Sequence, residues 1–179
     1  MVLTYIYHVV LAVGAGFRAK SAKRAFDFGC VIFLSLYHKK ANLCEPTPAD
    51  VVFINDASYS VGLANFQKTL RFIESVVKGL VIGPHETQIG LLTFEYNAKL
   101  EFHLNTFSDR QKILERVART EYTQGYTYTN LALDFAREVS FTRENGMRSF
   151  AAQVAIVITD GQSTEPHETV VAAQKLRDQ

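Results

Sequence analysis

The sequence predicts an α/β protein with a doubly wound, mostly parallel central sheet, one antiparallel edge strand and helices on both faces. Three observations carry that expectation. Apolar runs at 51–54 and 153–159 end in Asn-Asp and Asp-Gly, as buried strands do when they open into polar loops. Segments with apolar residues at helical spacing separate those runs, and alternating strands and helices make a layered α/β sheet. A further pair of runs, 88–94 and 99–104, is joined only by "EYNA", a link short enough for a hairpin and hence for antiparallel pairing.

Each element has its own local reason. "VVFI" at 51–54 is the first strand, followed by "NDASYSVG". A helix over 65–78 places Phe66, Leu70, Ile73 and Val77 on one face, and "GLVIGPHE" ends it with two glycines and a proline. "QIGLLTF" is a second buried strand. "KLEFHL" alternates, so Leu100, Phe102 and Leu104 are expected on one face. Ser108 or Asp109 caps a helix to about 119 with Ile113, Leu114 and Val117 inward. The polar loop "TEYTQGYTYT" leads to a helix from 130 with Leu131, Phe135 and Val139 at apolar spacing. "QVAIVIT" at 153–159 is the most β-branched run and reads as a central parallel strand. "DGQSTEP" and a helix over 167–176 close the chain.

Composition bounds the function classes. The chain has 179 residues, 47% of them hydrophobic and 21% charged, which suits one soluble globular domain. A net charge of +1, with no Lys/Arg block after residue 40, excludes nucleic acid as the expected partner. Cys30 and Cys44 lack the C-x-x-C spacing of a zinc or redox motif; they pair with each other, pair outside the chain, or stay free. His8, His38, His85, His103 and His167 are scattered, without an H-x-x-x-H pair, and are expected to be incidental.

Residues 1–43 form an irregular N-terminal segment. "MVLTYIYHVVLAVGAGF" is apolar without a basic start, and "RAKSAKR" precedes the short apolar run "FGCVIFLSLY". Neither run reaches the roughly 20 residues of a membrane-spanning helix. Three alternatives stay open: a signal peptide with Val13 and Ala15 before the cut, a membrane-directed segment, or upstream sequence that belongs to no fold. "CEPTPAD" at 44–50 marks the start of the domain proper, 44–179.

Polar groups collect where strands end. Asp56, Ser58 and Ser60 follow the first strand, Thr127 and Thr129 lead into a helix, and Asp160 follows the central strand. In open α/β sheets the binding crevice lies beyond the carboxyl ends of the strands, so these clusters are expected to converge. Carboxylate and hydroxyl oxygens suit a hard divalent cation such as Mg²⁺. The plainer alternative is local: Asp56 as a helix cap, Asp160-Gly161 as a tight turn. Caps and turns do not, however, dictate D-x-S-x-S and T-x-T together. Ser163 and Glu165 are expected to be solvated surface.

"DASYS", "GYTYTNLAL" and "VITDGQS" together resemble the metal-ion-dependent adhesion site of von Willebrand factor type A domains. "IGPHETQIGLLTFEYNAKLEFHL" is similar to the corresponding strand pair of matrilin-like and collagen-associated members. The resemblance covers 44–179 and implies a Rossmann-like fold. It also implies that Ser58, Ser60 and Thr127 offer hydroxyls to Mg²⁺ or Mn²⁺, with Asp56 and Asp160 binding directly or through water. Thr127 is preferred to Thr129 as the first threonine of T-x-T. A partner protein of the matrix or cell surface would supply an Asp or Glu carboxylate to the ion, in a secreted setting and without catalysis. The family's cysteine before the first strand often pairs with one beyond the final helix, which leaves Cys44 free or joined to Cys30. Ala57 and Gln124 stand where the family often has glycine. The family also continues past 179, so the domain is expected to be incomplete, with one edge of 153–159 unpaired and prone to aggregation.

Two other functions stand beside this one. The first is a type A module that interacts without metal. The second is a Mg²⁺-dependent phosphoryl-transfer enzyme with Asp56 as nucleophile, disfavoured because position 58 is Ser and no P-loop or G-x-S-x-G is present.

Overall fold

Apolar side chains on both faces of 51–54 leave that strand no solvent side, and it lies at the centre of the sheet. The computed structural model describes residues 8–13 and 48–179. In chain order the elements are β1 (His8–Val13), β2 (Ala49–Asp56), α1 (Gly62–Gly79), β3 (Thr87–Phe94), β4 (Ala98–Phe102), α2 (Arg110–Ala118), α3 (Thr129–Phe135), β5 (Ala152–Thr159) and α4 (Pro166–Arg177). The strand order is β1-β5-β2-β3-β4, with β5, β2 and β3 parallel and β4 antiparallel on β3. The α/β class and the hairpin are as the sequence predicts.

The sheet separates two apolar layers, one on each face. On one face, Val51 and Phe53 meet Phe66, Ile73 and Val77 of α1 and Ile113 and Val117 of α2. On the other, Val52, Ile54, Leu92 and Phe94 meet Ala132, Leu133 and Ala136 and, from α4, Ala172 and Leu176. Burying each large side chain of this kind is worth roughly 1.5–3 kcal/mol. The expected inward stripe of α1 is buried throughout, and Asp109 caps α2 by accepting a bond from the Lys112 N–H at 3.0 Å. Among the described residues no helix is long and apolar enough to cross a membrane.

Three expectations are corrected. The edge of β5 away from β2 is not unpaired: β1 runs antiparallel along it, from His8 opposite Thr159 to Val13 opposite Val154, so the sheet has two antiparallel edges. Leu100, Phe102 and Leu104 do not share a face: Leu92 pairs with Leu100 but Leu91 with Phe102, a bulge at Glu101 that turns Leu100 and Phe102 to opposite faces, and Leu104, past the end of β4, lies in the layer opposite Phe102. The helix from 130 buries Ala132, Leu133 and Ala136, while Leu131 is exposed. Small residues let it approach the sheet closely, and the π-helical turn at Ala136–Ser140 then shifts the face so that Ser140, not Val139, is inside. Cys30, Cys44, His38 and the proposed cleavage after Ala15 lie outside the described residues.

At the end of the sheet opposite the polar loops, Arg148 fastens β2 to its surroundings. Its Nε donates to Asp50 Oδ1 at 2.8 Å and its backbone N–H to Asp50 Oδ2 at 2.7 Å. Its Nη1 and Nη2 donate to the carbonyls of Pro84, Ala49 and Glu86. Asp50 is fully buried, and that burial, outweighing the bonds and charge of Arg148, pushes its carboxyl above the usual carboxylate range. A raised folded-state pKa means that acid favours the fold, an advantage lost as pH rises through that pKa. Arg148→Ala strips the carboxylate of its partner and is expected to destabilise the domain by about 3–5 kcal/mol at neutral pH. The deficit should shrink on acidification, as protonation removes the uncompensated charge; urea melts across the acid range measure both. Deleting 1–47 removes β1 and bares the edge of β5. That variant is expected to melt lower and to form larger species than the whole chain in size-exclusion chromatography.

Candidate metal centre

The site begins with the two oxygens of Asp56, the last residue of β2. Oδ1 accepts the Ser58 N–H at 2.8 Å, which folds the chain back just past the strand. Oδ2 accepts the Thr159 hydroxyl at 2.6 Å, which ties the end of β2 to the end of β5. From there a line of oxygens runs outward. Ser58 Oγ is 3.2 Å from Ser60 Oγ, and Ser60 Oγ donates to Asp160 Oδ1 at 3.1 Å. Asp56, Ser58, Ser60 and Asp160 are thus brought together from segments about a hundred residues apart.

Thr127 joins them by a different route. Its carbonyl accepts from the Thr164 N–H at 2.8 Å and the Ser163 hydroxyl at 3.0 Å, and its N–H donates to Thr164 Oγ1 at 3.1 Å. The same loop is fastened to the Asp56 side: the Gln124 N–H donates to the Ala57 carbonyl and the Tyr59 N–H to the Gly125 carbonyl. Three segments therefore meet at one end of the sheet. Among the described residues the Thr127 hydroxyl makes no hydrogen bond to Asp56, Ser58, Ser60 or Asp160. Thr129 is buried as the first residue of α3. Ser163 is not simply solvated surface, since it bridges Thr127 and the Glu165 N–H.

The two carboxylates of this cluster repel each other. Burial pushes the Asp56 carboxyl up, the bonds from Ser58 and Thr159 pull it back, and the nearby Asp160 charge raises it further. Two carboxylates and two serine hydroxyls, all hard oxygen donors, fit a divalent ion, which would offset the repulsion between the carboxylates. Asp56 is not a helix cap, because α1 begins without any side-chain cap bond.

Sequence reasoning missed Tyr122, Thr159 and Thr164. The Tyr122 hydroxyl donates to the Ser58 carbonyl at 2.8 Å and accepts the Gly62 N–H at 3.1 Å. Burial first of all, then Asp56 and the other nearby anionic groups, pushes its phenol up, so it stays neutral and can do both. Thr159 was the findable one: a parallel register pairing Asn55 with Ile158 sets Asp56 beside it. Nothing in the sequence flags Tyr122.

A von Willebrand factor type A domain model matches residues 50–179, and the chain belongs to that family. It is 36% identical over 144 residues to the mouse collagen alpha-1(XX) chain, a match covering 80% of this chain and 11% of the collagen. It is 36% identical over 135 residues to mouse matrilin-3, covering 74% of this chain and 28% of the matrilin. The chain thus spans a small part of these relatives. Among solved structures, proximal thread matrix protein 1 of the mussel byssus, with a zinc-occupied MIDAS motif, is similar at a TM-score of 0.68 and 24% identity. That match covers 73% of this chain and 35% of the mussel chain. Manganese-loaded TRAP protein of Plasmodium vivax is similar at 0.65 and 21%, over 73% of this chain and 53% of its own. At these identities the likeness to both structures is one of fold.

The loop keeps its path at a cost. Gln124 lies at φ 66°, a left-handed conformation that costs a residue with a Cβ roughly 1–2 kcal/mol. Gly125 beside it has no space for a side chain, since a Cβ would run into the Glu95 carboxylate and the Tyr96 ring. Gln124→Gly is therefore expected to stabilise the domain by up to about 1 kcal/mol, the relief exceeding the added freedom of the unfolded chain. Gly125→Ala should destabilise it. Thermal melts of the two variants check the pair.

Proposed function

We propose that the chain is an interaction module of the extracellular matrix that binds a partner protein's carboxylate through a divalent ion, Mg²⁺ or Mn²⁺. Asp56, Ser58, Ser60, Thr127 and Asp160 would hold that ion. The observation that carries this reading is the line of oxygens from Asp56 through Ser58 and Ser60 to Asp160, assembled at the carboxyl ends of adjacent parallel strands. The relatives, collagens and matrilins, are structural proteins of the matrix, which favours a non-enzymatic role and a secreted setting. The metal-loaded states of the mussel and Plasmodium proteins are consistent with an ion on this fold. Residues 1–43 would stand outside the domain proper except for the strand that β1 lends to the sheet.

The chemistry asked of these residues is modest. Asp56 and Asp160 balance the ion's charge, while the hydroxyls are neutral donors that leave it electrophilic toward an incoming carboxylate. Thr159 and the Ser58 N–H hold Asp56 in orientation, as the partners of a metal ligand do. Tyr122 holds the Ser58 carbonyl and so the turn.

The test is a melting curve of the whole chain with and without Mg²⁺ or Mn²⁺. A ligand that binds only the folded state stabilises it by about 2.7 kcal/mol at a hundredfold excess over Kd. Asp56→Asn keeps the acceptor for Ser58 and removes a buried charge. Its metal-free form should melt no lower than the native chain, yet lose the shift. Thr127→Ala should keep part of the shift, because water can take the vacated position. A chain indifferent to both ions would leave the metal-independent module in place of this reading.

A further inference from the structure

Beside the candidate metal centre lies a cluster of aromatic rings that the ion does not use. Tyr96 and Tyr126 are 49% and 57% exposed, and their rings meet edge to face with centroids 5.1 Å apart. Tyr128 adds a third ring 6.3 Å from Tyr126. The Glu95 carboxylate lies at the backbone beneath the pair, accepting the Tyr96 N–H and lying against Gly125. The Tyr128 N–H donates to the Glu95 carbonyl, so the hairpin and the 125–128 loop form one surface. Gly125 joins that surface to the metal loop, because its carbonyl accepts the Tyr59 N–H.

The charges around this surface are one-sided. The loops 57–61, 95–97, 119–128 and 160–165 carry Glu95, Glu121, Asp160 and Glu165 against Arg119 alone. Among the described residues, none of those four acids is in an ion pair. An ion at Asp56 and Asp160 would balance those two carboxylates only. Glu95, bonded to the backbones of Tyr96 and Tyr128, would remain an anionic group next to exposed rings, and both kinds of group attract guanidinium and ammonium. Tyrosine is also among the side chains enriched where binding energy concentrates.

We propose that Glu95, Tyr96, Tyr126 and Tyr128 receive an arginine or lysine side chain of the partner protein, next to the ion that takes the partner's carboxylate. This rests on the metal-dependent function proposed above for the position of the second anchor. The pocket for the basic side chain does not itself need the ion. The partner it selects carries both charges close together, and an acidic segment without a basic neighbour binds less well.

Three probes separate the two ideas by NMR on the whole labelled chain: blocked arginine amide in EDTA, blocked glutamate amide with Mg²⁺, and a blocked Glu-Gly-Gly-Arg peptide with Mg²⁺. Arginine amide is expected to give saturable shifts confined to Tyr96, Tyr126, Tyr128 and their neighbours, lost in Glu95→Gln and weakened in Tyr126→Leu. The linked peptide should bind at least about tenfold more tightly than glutamate amide, an advantage lost in Glu95→Gln. Tyr126→Leu alters an exposed ring and guards against misreading an unfolded variant. Glutamate amide binding with Mg²⁺, while arginine amide shifts nothing or shifts every acidic patch alike, would overturn this inference and leave the metal function standing. Arginine amide binding at the tyrosines, while Mg²⁺ and glutamate amide leave Asp56 and Ser58 untouched, would overturn the metal function and keep the cationic pocket.

Discussion

The carboxylate of Asp56 is the interaction on which this end of the molecule depends. It is buried at the point where two parallel strands stop, and burial of a charge is tolerated only when both oxygens are engaged. Here Ser58 N–H takes one and the Thr159 hydroxyl the other. Those two bonds decide how the chain leaves β2 and where β5 ends beside it. The serines, Asp160 and the loop that carries Thr127 take their positions from that junction.

The surrounding groups work mostly through backbone atoms. Tyr122 reaches from the 119–128 loop to the Ser58 carbonyl, Ala57 and Tyr59 exchange bonds with Gln124 and Gly125, and Ser163 and Thr164 hold Thr127. Such bonds fix a path and leave side-chain hydroxyls available for a ligand. The strained φ of Gln124 fits the same pattern. A backbone donor aimed at the Ala57 carbonyl is kept although the residue is poorly suited to the conformation, as happens where surrounding contacts over-determine a loop.

Much of this was legible in the sequence because it depends on periodicity and on local chemistry. The inward stripe of α1 and the cap at Asp109 follow from spacing and from side-chain length, and the structure has both. Asp56, Ser58, Ser60 and Asp160 were found because they lie at the polar ends of apolar runs. What could not be read depends on register or on distance in sequence. One bulge in β4 parts Leu100 from Phe102, and one π-helical turn moves the buried face from Val139 to Ser140. Tyr122 is an aromatic residue in a polar loop until the fold sets it under Ser58. The pairing of β1 with β5 joins segments too far apart for any local pattern to announce.

The bond between Thr159 and Asp56 spans 103 positions of chain, and the parallel pairing of β2 with β5 spans a similar distance throughout. Contacts of such long range form late, because the entropy of closing the intervening loop must be met before they contribute. During synthesis, the oxygens after β2 therefore wait for about a hundred further residues to emerge before their partners exist. A half-made chain has the D-x-S-x-S sequence but no assembled cluster. Under the function proposed above, ligand capture through it would be confined to molecules that have finished folding, and nascent chains would be kept from engaging carboxylates of other proteins before their own sheet is closed.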